Sequence, residues 1–475
     1  TDRIGQLIPQ NIDRRILPND IARLSVELPV VKDCRDEDYV VMEVNKAMLE
    51  LRRNGGGPVH INLITTYSRD FSVKELPHVK VMRRFQAWDE LPVLPEGRIG
   101  IYVGSHTHFS EKQNRAIDRF CATYDAVVIC DHTSGYYGKY KLLPTLVQLQ
   151  SDITSPFPPL DLMVHIGEIS AASFNDTIPA KEVWRVSEDG ELRDPFKKLT
   201  TVFQMSEEMF FLHYGKDGCN RHVLIDECRE LFGEIYEQIP ELPFCNIWTA
   251  MQLSSRLPKG ALFHMGVSNT RRCWNMFQLP ESVESACNVG CCGIDGCVST
   301  LVGASLVNPD RLCYVVVGDL TFFYDLNSLG NHHIGTNLRV MLVNNGRGTE
   351  FRLGIHHCNV FGDDADKYMA AAGHFGNKSP LLVKHYAEDL GFHYLSATTK
   401  EEFMTALSNF TNPQLSDHSM ILEVFTDSKD ESEALYLMSH IQSDAKGMVR
   451  SKLKDAVRNV AGEKGINAIK KILKK

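Results

Sequence analysis

The stretch Val315-Val-Val-Gly-Asp-Leu-Thr321, followed by Leu342-Val-Asn-Asn-Gly-Arg-Gly348, decides how this chain is read. Leu312 to Val317 is apolar and rich in β-branched residues, as a strand buried on both faces should be. It stops at Gly318-Asp319. Phe322 to Ile334 leaves room for a crossover helix, and Leu338 to Val343 reads as a second buried strand ending in Asn344-Asn345. The strands of such a βαβ unit run parallel, so Asp319 and Asn345 are expected together at the carboxyl edge, where open α/β sheets bind ligands. An Asp carboxylate, an Asn amide oxygen and a nearby main-chain carbonyl are hard oxygen donors suited to Mg²⁺ that also holds phosphates. The stretch is read as a metal-diphosphate site.

Gly318-Asp319 and then, after residues 320–343, Asn344-Asn345 resemble the diphosphate-binding motif of thiamine diphosphate (ThDP) enzymes. Within that family, Val317-Gly-Asp-Leu-Thr-Phe-Phe-Tyr-Asp-Leu-Asn-Ser-Leu329 and Gly293-Ile-Asp-Gly-Cys-Val-Ser-Thr300 look most like the menaquinone-pathway synthases, which join decarboxylated 2-oxoglutarate to isochorismate. Leu320 stands where most of the family has Gly, and those synthases also have Leu there. The resemblance implies ThDP and Mg²⁺ as cofactors. It implies that Asp319, Asn345 and the main-chain oxygen of Arg347 hold the metal, with Gly318, Leu320 and Thr321 in the same motif. It also makes Ile294, next to Gly293, the apolar wedge that keeps ThDP bent, and gives the Cys292 carbonyl to the cofactor's 4′-amine. Arg272 falls where an arginine of the synthases contacts substrate. Val289 is a departure, because the synthases have an arginine there and a lost bidentate carboxylate contact is not conservative.

A chain of 475 residues is too long for one ordinary core, so two to three domains are expected. Hydrophobic content of 43% and charged content of 23% are those of a globular protein, and the net charge of −9 gives no general attraction to nucleic acid. No apolar run reaches the roughly 20 residues of a membrane helix. Thirteen scattered cysteines make no disulfide framework, so a reduced, cytoplasmic setting is expected. Cys287, Cys291, Cys292 and Cys297 cluster without the spacing of a paired CxxC zinc site; packing or cofactor-lining thiols and metal ligation both stay open.

In chain order, residues 1–75 read as the C-terminal part of a pyrimidine-binding domain: a helix from Asp38 to Arg52 and a strand over Pro58-Val-His-Ile-Asn-Leu63 cannot close a doubly wound sheet alone. In the family the earlier part of this domain carries the glutamate that activates the cofactor, and no residue of this sequence matches it. Gln10 is set against a substrate- or cofactor-facing glutamine of the family or, more blandly, a solvated loop residue. Thr1 is expected to lie inside a longer product. Residues 76–95 read as a Pro- and Gly-punctuated linker. Residues 76–240 as a whole make a central α/β domain, with strands at 98–104, 126–130 and 160–166 and a helix from Glu111 to Tyr124. Gly104-Ser-His-Thr-His108 invites a nucleotide-loop reading but lacks GxGxxG, and a structural role stands beside it.

Residues 241–430 are assigned as the diphosphate-binding domain. Its strand Ala261–Met265 ends at Gly266-Val-Ser-Asn-Thr-Arg-Arg272, where Ser268, Asn269 and the arginines make either an anion site or an ordinary capped helix. A helix from Cys297 to Val307 follows Gly290, Gly293 and Gly296, whose loop allows close backbone approach to a phosphate. Glu350, His356 and His357 are candidate acid/base groups, weighed against ordinary surface residues. Residues 431–475 are assigned as a basic, roughly amphipathic helical tail, expected to dock on a neighbouring subunit, with contact to an anionic surface as the alternative.

The fold expected is therefore α/β, with three domains of parallel sheets flanked by helices and the first incomplete. The function expected is ThDP- and Mg²⁺-dependent decarboxylation of a 2-oxo acid with transfer of the acyl unit to an acceptor. Simple decarboxylation and a non-catalytic scaffold are the alternatives. The partners expected are small molecules and a second copy of the chain, as a homodimer or tetramer, with no nucleic acid and no membrane.

Overall fold

The computed structural model describes residues 15, 17–18, 20–65, 72, 74–75, 78–153, 157–169, 178–290, 293–353, 356–367 and 379–443. Gln10, Cys291, Cys292 and the basic stretch 446–475 lie outside the described residues. The described strands form three sheets, and their pairings are parallel. Among the described residues no helix is long and apolar enough to cross a membrane.

The first sheet has two strands, β1 (Leu24–Leu28) and β2 (Val59–Leu63), joined by α1 (Cys34–Glu50). Asp33 starts α1 ahead of the expected Asp38 because its side chain accepts from the Arg35 and Asp36 N–H groups, two donors that a helix start otherwise leaves orphaned. Val26, Leu28 and Ala47 are buried between these three elements.

The second sheet has seven strands: β3 (Arg83–Gln86), β4 (Ile99–Val103), β5 (Val127–Ile129), β6 (Lys141–Leu142), β7 (Leu160–Ile166), β8 (Ala180–Ser187) and β9 (Leu199–Gln204). Their order is β3-β9-β8-β7-β4-β5-β6. The stretch read as a linker is corrected here, since β3 lies inside it and pairs with β9 from Arg83↔Thr201 to Gln86↔Gln204. Every residue of β4 and β5 is buried, as a parallel strand covered on both faces requires. The helix α2 (Glu111–Tyr124) has its expected span because both ends carry their own signals. Ser110 and Gln113 form a reciprocal capping box, and Asp125 closes the helix at φ 55°. The helices α3 (Thr145–Leu149), α4 (Glu207–Tyr214) and α5 (Val223–Glu237) complete this part.

The third sheet follows α6 (Asn246–Leu253). Its strands are β10 (Leu262–Met265), β11 (Glu284–Cys287), β12 (Cys313–Gly318), β13 (Leu338–Asn344), β14 (His393–Ala397) and β15 (Met420–Phe425), in the order β11-β10-β12-β13-β15-β14. Between them run α7 (Asn269–Trp274), α8 (Cys297–Val307), α9 (Asp319–Asp325), α10 (Leu382–Asp389) and α11 (Lys400–Phe410), and α12 (Ser428–Ser439) comes last. The chain leaves β10 for β11 on one side and returns to β12 on the other, so the crevice outside the carboxyl ends of β10 and β12 is a topological switch point. The crossover helix after β12 begins at Asp319 itself, earlier than the expected Phe322.

One hydrophobic cluster runs through both large sheets, from Met82 in the second to Met438 behind the third. His132, in the loop after β5, is the polar pin of that junction. Its Nε2 lies 3.1 Å from the Trp274 carbonyl and 2.9 Å from the Phe277 carbonyl, so this nitrogen carries the ring proton. Burial pushes the imidazole down to about 4, which keeps it neutral. The main chain of His132 is held from the same side, by Asn275 Oδ1 and by the Ser285 hydroxyl.

Leu342 lies in β13 between two neighbouring strands and is fully buried. Leu342→Ala is expected to cost about 2–5 kcal/mol, read as a lower urea midpoint with an unchanged slope.

Candidate active site

The register of the third sheet sets the site. Gly318, the last residue of β12, is level with Val343 of β13, so the chain steps into Asp319 on one strand and Asn344 on the next at the same height. On the other flank the sheet continues past β10 through a 2.7 Å hydrogen bond from Gly266 N to the Val316 carbonyl. Segment 266–272, Asp319 and segment 344–347 therefore share one carboxyl edge.

Asp319 is 2% exposed, and one of its oxygens accepts from Leu320 N at 2.8 Å. Asn344 turns inward and donates from Nδ2 to Glu423 Oε1 at 2.7 Å, while the Tyr394 hydroxyl donates to Glu423 Oε2 at 2.8 Å. Burial raises the Glu423 pKa and the nearby Asp319 charge adds to the rise, with the two hydrogen bonds opposing. Asn345 faces differently: its Oδ1 is buried and has no hydrogen-bond partner. A buried amide oxygen left so costs about 1–3 kcal/mol, which a cation offsets. Gly346 takes φ 80°, the left-handed conformation that turns the chain out of the strand, and the Arg347 carbonyl accepts from Thr349 N at 3.0 Å. An unpartnered amide oxygen at the same sheet edge as a buried carboxylate fits a hard divalent cation with phosphate ligands.

Two residues read separately in the sequence are paired in the structure. Arg272 on α7 makes a two-pronged bond to Glu350, NH1 to Oε2 at 2.9 Å and NH2 to Oε1 at 2.6 Å. Burial pulls the Arg272 pKa down, but the Glu350 bonds and charge outweigh it and the guanidinium pKa is raised. Asn269 Oδ1 sits 3.5 Å from the same NH1. Behind Asn269 lies Glu431 of α12, 2% exposed, accepting from Asn246 N at 3.0 Å and the Thr426 hydroxyl at 2.9 Å as well as from Asn269. Sequence reading missed Glu423 and Glu431. The signal for Glu423 was its place inside an otherwise apolar strand, Met420-Ile-Leu-Glu-Val-Phe425.

Ser268 is half-buried at φ 60° and makes no side-chain cap, so the strand end does not form the expected hydroxyl-capped helix start. Gly293 and Ile294 are half-buried in the loop before α8; Gly296 takes φ 78° there, and Ser299 N in the first helical turn is already taken by Asp325 Oδ2 at 2.6 Å. Thr321 is buried on α9, and Val289 is buried too. His356 Nδ1 accepts from Cys358 N at 3.1 Å, and its ring meets Phe351 edge-on at 5.0 Å. His357 lies in the next turn. Among the described residues no group of three or more His, Cys, Asp or Glu gathers as a metal site, so Cys287 and Cys297 are not brought into one.

The chain is 28% identical over 460 residues to the 2-succinyl-5-enolpyruvyl-6-hydroxy-3-cyclohexene-1-carboxylate synthase of Bacteroides thetaiotaomicron, covering 91% of this chain and 79% of that protein. It is 28% identical over 465 residues to the synthase of the same name from Bacteroides fragilis, with 91% and 79% covered. To that of Christiangramia forsetii it is 33% identical over 199 residues, 42% of this chain and 33% of that protein. No family model matches the chain. Parallel sheets and a diphosphate motif in register at their edge accord with this similarity to thiamine diphosphate-dependent synthases. Over about nine-tenths of its length the chain is similar to the two Bacteroides synthases just named.

Glu431 gives the site a pH signature. Burial raises its pKa from 4.5 to about 7 against its three hydrogen bonds. The folded state therefore holds a proton that the unfolded chain releases, and the group's contribution to stability falls as pH rises from about 4.5 to about 7. Glu431→Gln is expected to flatten that fall, so that its melting temperature gains on the parent between pH 5 and pH 8. Parallel melting profiles for the two proteins would remove Glu431 as the cause.

Proposed function

We propose that this enzyme uses ThDP and Mg²⁺ to decarboxylate a 2-oxo acid and transfers the acyl unit to a small-molecule acceptor. The observation that carries the reading is the buried, unpartnered Asn345 Oδ1 at the same sheet edge as the buried Asp319 carboxylate, one residue beyond the position level with it. Asp319, Asn345 and the Arg347 carbonyl hold Mg²⁺ in this reading. Gly318, Leu320 and Thr321 line the approach of the diphosphate, and Ser268, Asn269, Cys292, Gly293 and Ile294 complete the cofactor's surroundings. When bound, ThDP supplies the electron sink for loss of CO₂ from a 2-oxo acid and for delivery of the remaining acyl unit.

The chain's own residues have positional tasks. Glu423 fixes the Asn344 amide, and so the backbone that presents Asn345. Buried strands on both sides of Asp319 keep bulk water from the metal's protein ligands. Arg272, Glu350, His356 and His357 are the groups assigned to substrate binding and proton transfer. The relatives' named product, a succinyl-substituted cyclohexene carboxylate, fits acyl transfer to an acceptor rather than release of an aldehyde. In the same reading residues 1–75 belong to a pyrimidine-binding domain, 76–240 to a central domain and 241–430 to the diphosphate-binding domain, and the enzyme works as a homodimer or tetramer.

Calorimetric titration of ThDP into the protein, with Mg²⁺ and again with EDTA, tests the site. Binding is expected only with Mg²⁺. Asp319→Ala is expected to abolish it while the circular dichroism spectrum stays unchanged, and undiminished affinity in that variant would remove the site assignment.

A further inference from the structure

Resting on that reading, the start of α8 shows how the loop assigned to the cofactor's rings is tied to the metal edge. The helix has no side-chain cap of its own, because the residue before it is Gly296. The hydroxyls of its first turn are turned backward: Ser299 Oγ and Thr300 Oγ1 donate to the Gly296 carbonyl at 3.2 and 2.6 Å. Asn288 Nδ2 reaches Thr300 Oγ1 at 3.3 Å, so both ends of the loop that carries Ile294 are fastened to this turn. The cap comes from elsewhere in the sequence. Asp325 Oδ2, 26 residues on, accepts from Ser299 N at 2.6 Å.

Asp325 is the last residue of α9, the helix that Asp319 opens. A carboxylate at that end opposes the dipole of its own helix, and it complements the dipole of α8, whose first turn it faces. Its place is therefore explained by α8 rather than by α9. Six residues of helical rise set it about 9 Å along the axis from Asp319. Val298 and Leu301 of α8 share one buried cluster with Phe322 of α9 and Val317 of β12, which holds the two helices side by side. Apolar contacts are non-directional, so the directed bond to Ser299 N is what fixes which turn of α8 meets the end of α9. Ser328 Oγ donates to the Asp325 carbonyl at 2.7 Å and steadies it from the following turn. A phosphate at this helix start would meet a spent N–H and a carboxylate, so the start of α8 serves as an anchor and leaves the diphosphate to the metal.

We infer that Asp325 is a positioning residue of the cofactor site: by capping α8 from the far end of the helix that begins with Asp319, it sets where the Ile294 loop stands relative to the metal ligands. The wedge against the cofactor's rings and the grip on its diphosphate are then held in one frame.

The test compares the parent protein with Asp325→Ala, and with Asp325→Asn, which removes the charge and keeps an oxygen suited to a helix cap. ThDP and inorganic pyrophosphate are each titrated calorimetrically into the three proteins in the presence of Mg²⁺. Pyrophosphate engages the metal end alone, whereas ThDP also needs the loop. Asp325→Ala is expected to weaken ThDP binding by roughly 3- to 30-fold and pyrophosphate binding by less than about twofold, with most of the ThDP affinity restored in Asp325→Asn. Hydrogen exchange of the unliganded proteins reads the anchor directly. Asp325→Ala is expected to speed exchange over residues 293–300 and to leave 338–345 at the parent's rate. Equal losses of ThDP and pyrophosphate affinity, parent-like exchange over 293–300, or a ThDP affinity unchanged in an Asp325→Ala protein that merely melts earlier would each overturn the assignment. If the parent binds neither ligand with Mg²⁺, the functional reading fails by itself, and the exchange rates still decide whether Asp325 anchors the loop.

Discussion

The site depends on a register constraint. Strands β12 and β13 run parallel with Gly318 level with Val343, and that offset determines which side chains stand at the sheet's edge. A slip of one residue would turn every side chain of β13 to the opposite face and carry Asn345 away from the unpartnered position it holds. The offset is held by packing, because every residue of β13 and all but the last of β12 are covered on both faces and a slip would put side chains of the wrong shape into both close-packed layers. The polar edge is thus placed by the apolar body behind it.

Against that rigid frame the polar groups divide into two kinds. Glu423, Asn344 and Tyr394 form a bonded set in which both Glu423 oxygens accept a hydrogen, and such sets hold a backbone still. Asn345 Oδ1 is the open position beside it. A fixed scaffold next to an unsatisfied donor oxygen is the arrangement expected of a ligand site, since its cost in the free protein is the ligand's gain.

Much of this was legible in the sequence. The spans of α2 and α8 follow from end signals written locally, Ser110 and Gln113 before one and Gly296 before the other. Strands β7 and β15 were visible as mostly apolar runs, interrupted by Asp161 and His165 in one and by Glu423 in the other. What escaped was short or non-local. Strand β3 has only the four residues Arg-Arg-Phe-Gln, whose two arginines hide any alternation, and it exists because β9 offers an edge. The Arg272–Glu350 bond joins residues 78 positions apart, so no spacing rule finds it; only the folded sheet brings α7 against the turn after β13. Glu431 looked like one more acid at a helix start, and its burial is decided by α6 and α7, which close over it.

The pin at His132 has a consequence for how the molecule comes apart. This neutral imidazole and the cluster running from Met82 to Met438 belong to both large sheets at once, while a second cluster of α8, β12 and β13 side chains belongs to the third sheet alone. Separating them would bare apolar area on both and strand two main-chain carbonyls, at a cost near that of losing the sheets themselves. The shared cluster therefore couples the unfolding of the two sheets, and loss of one bares apolar surface on the other.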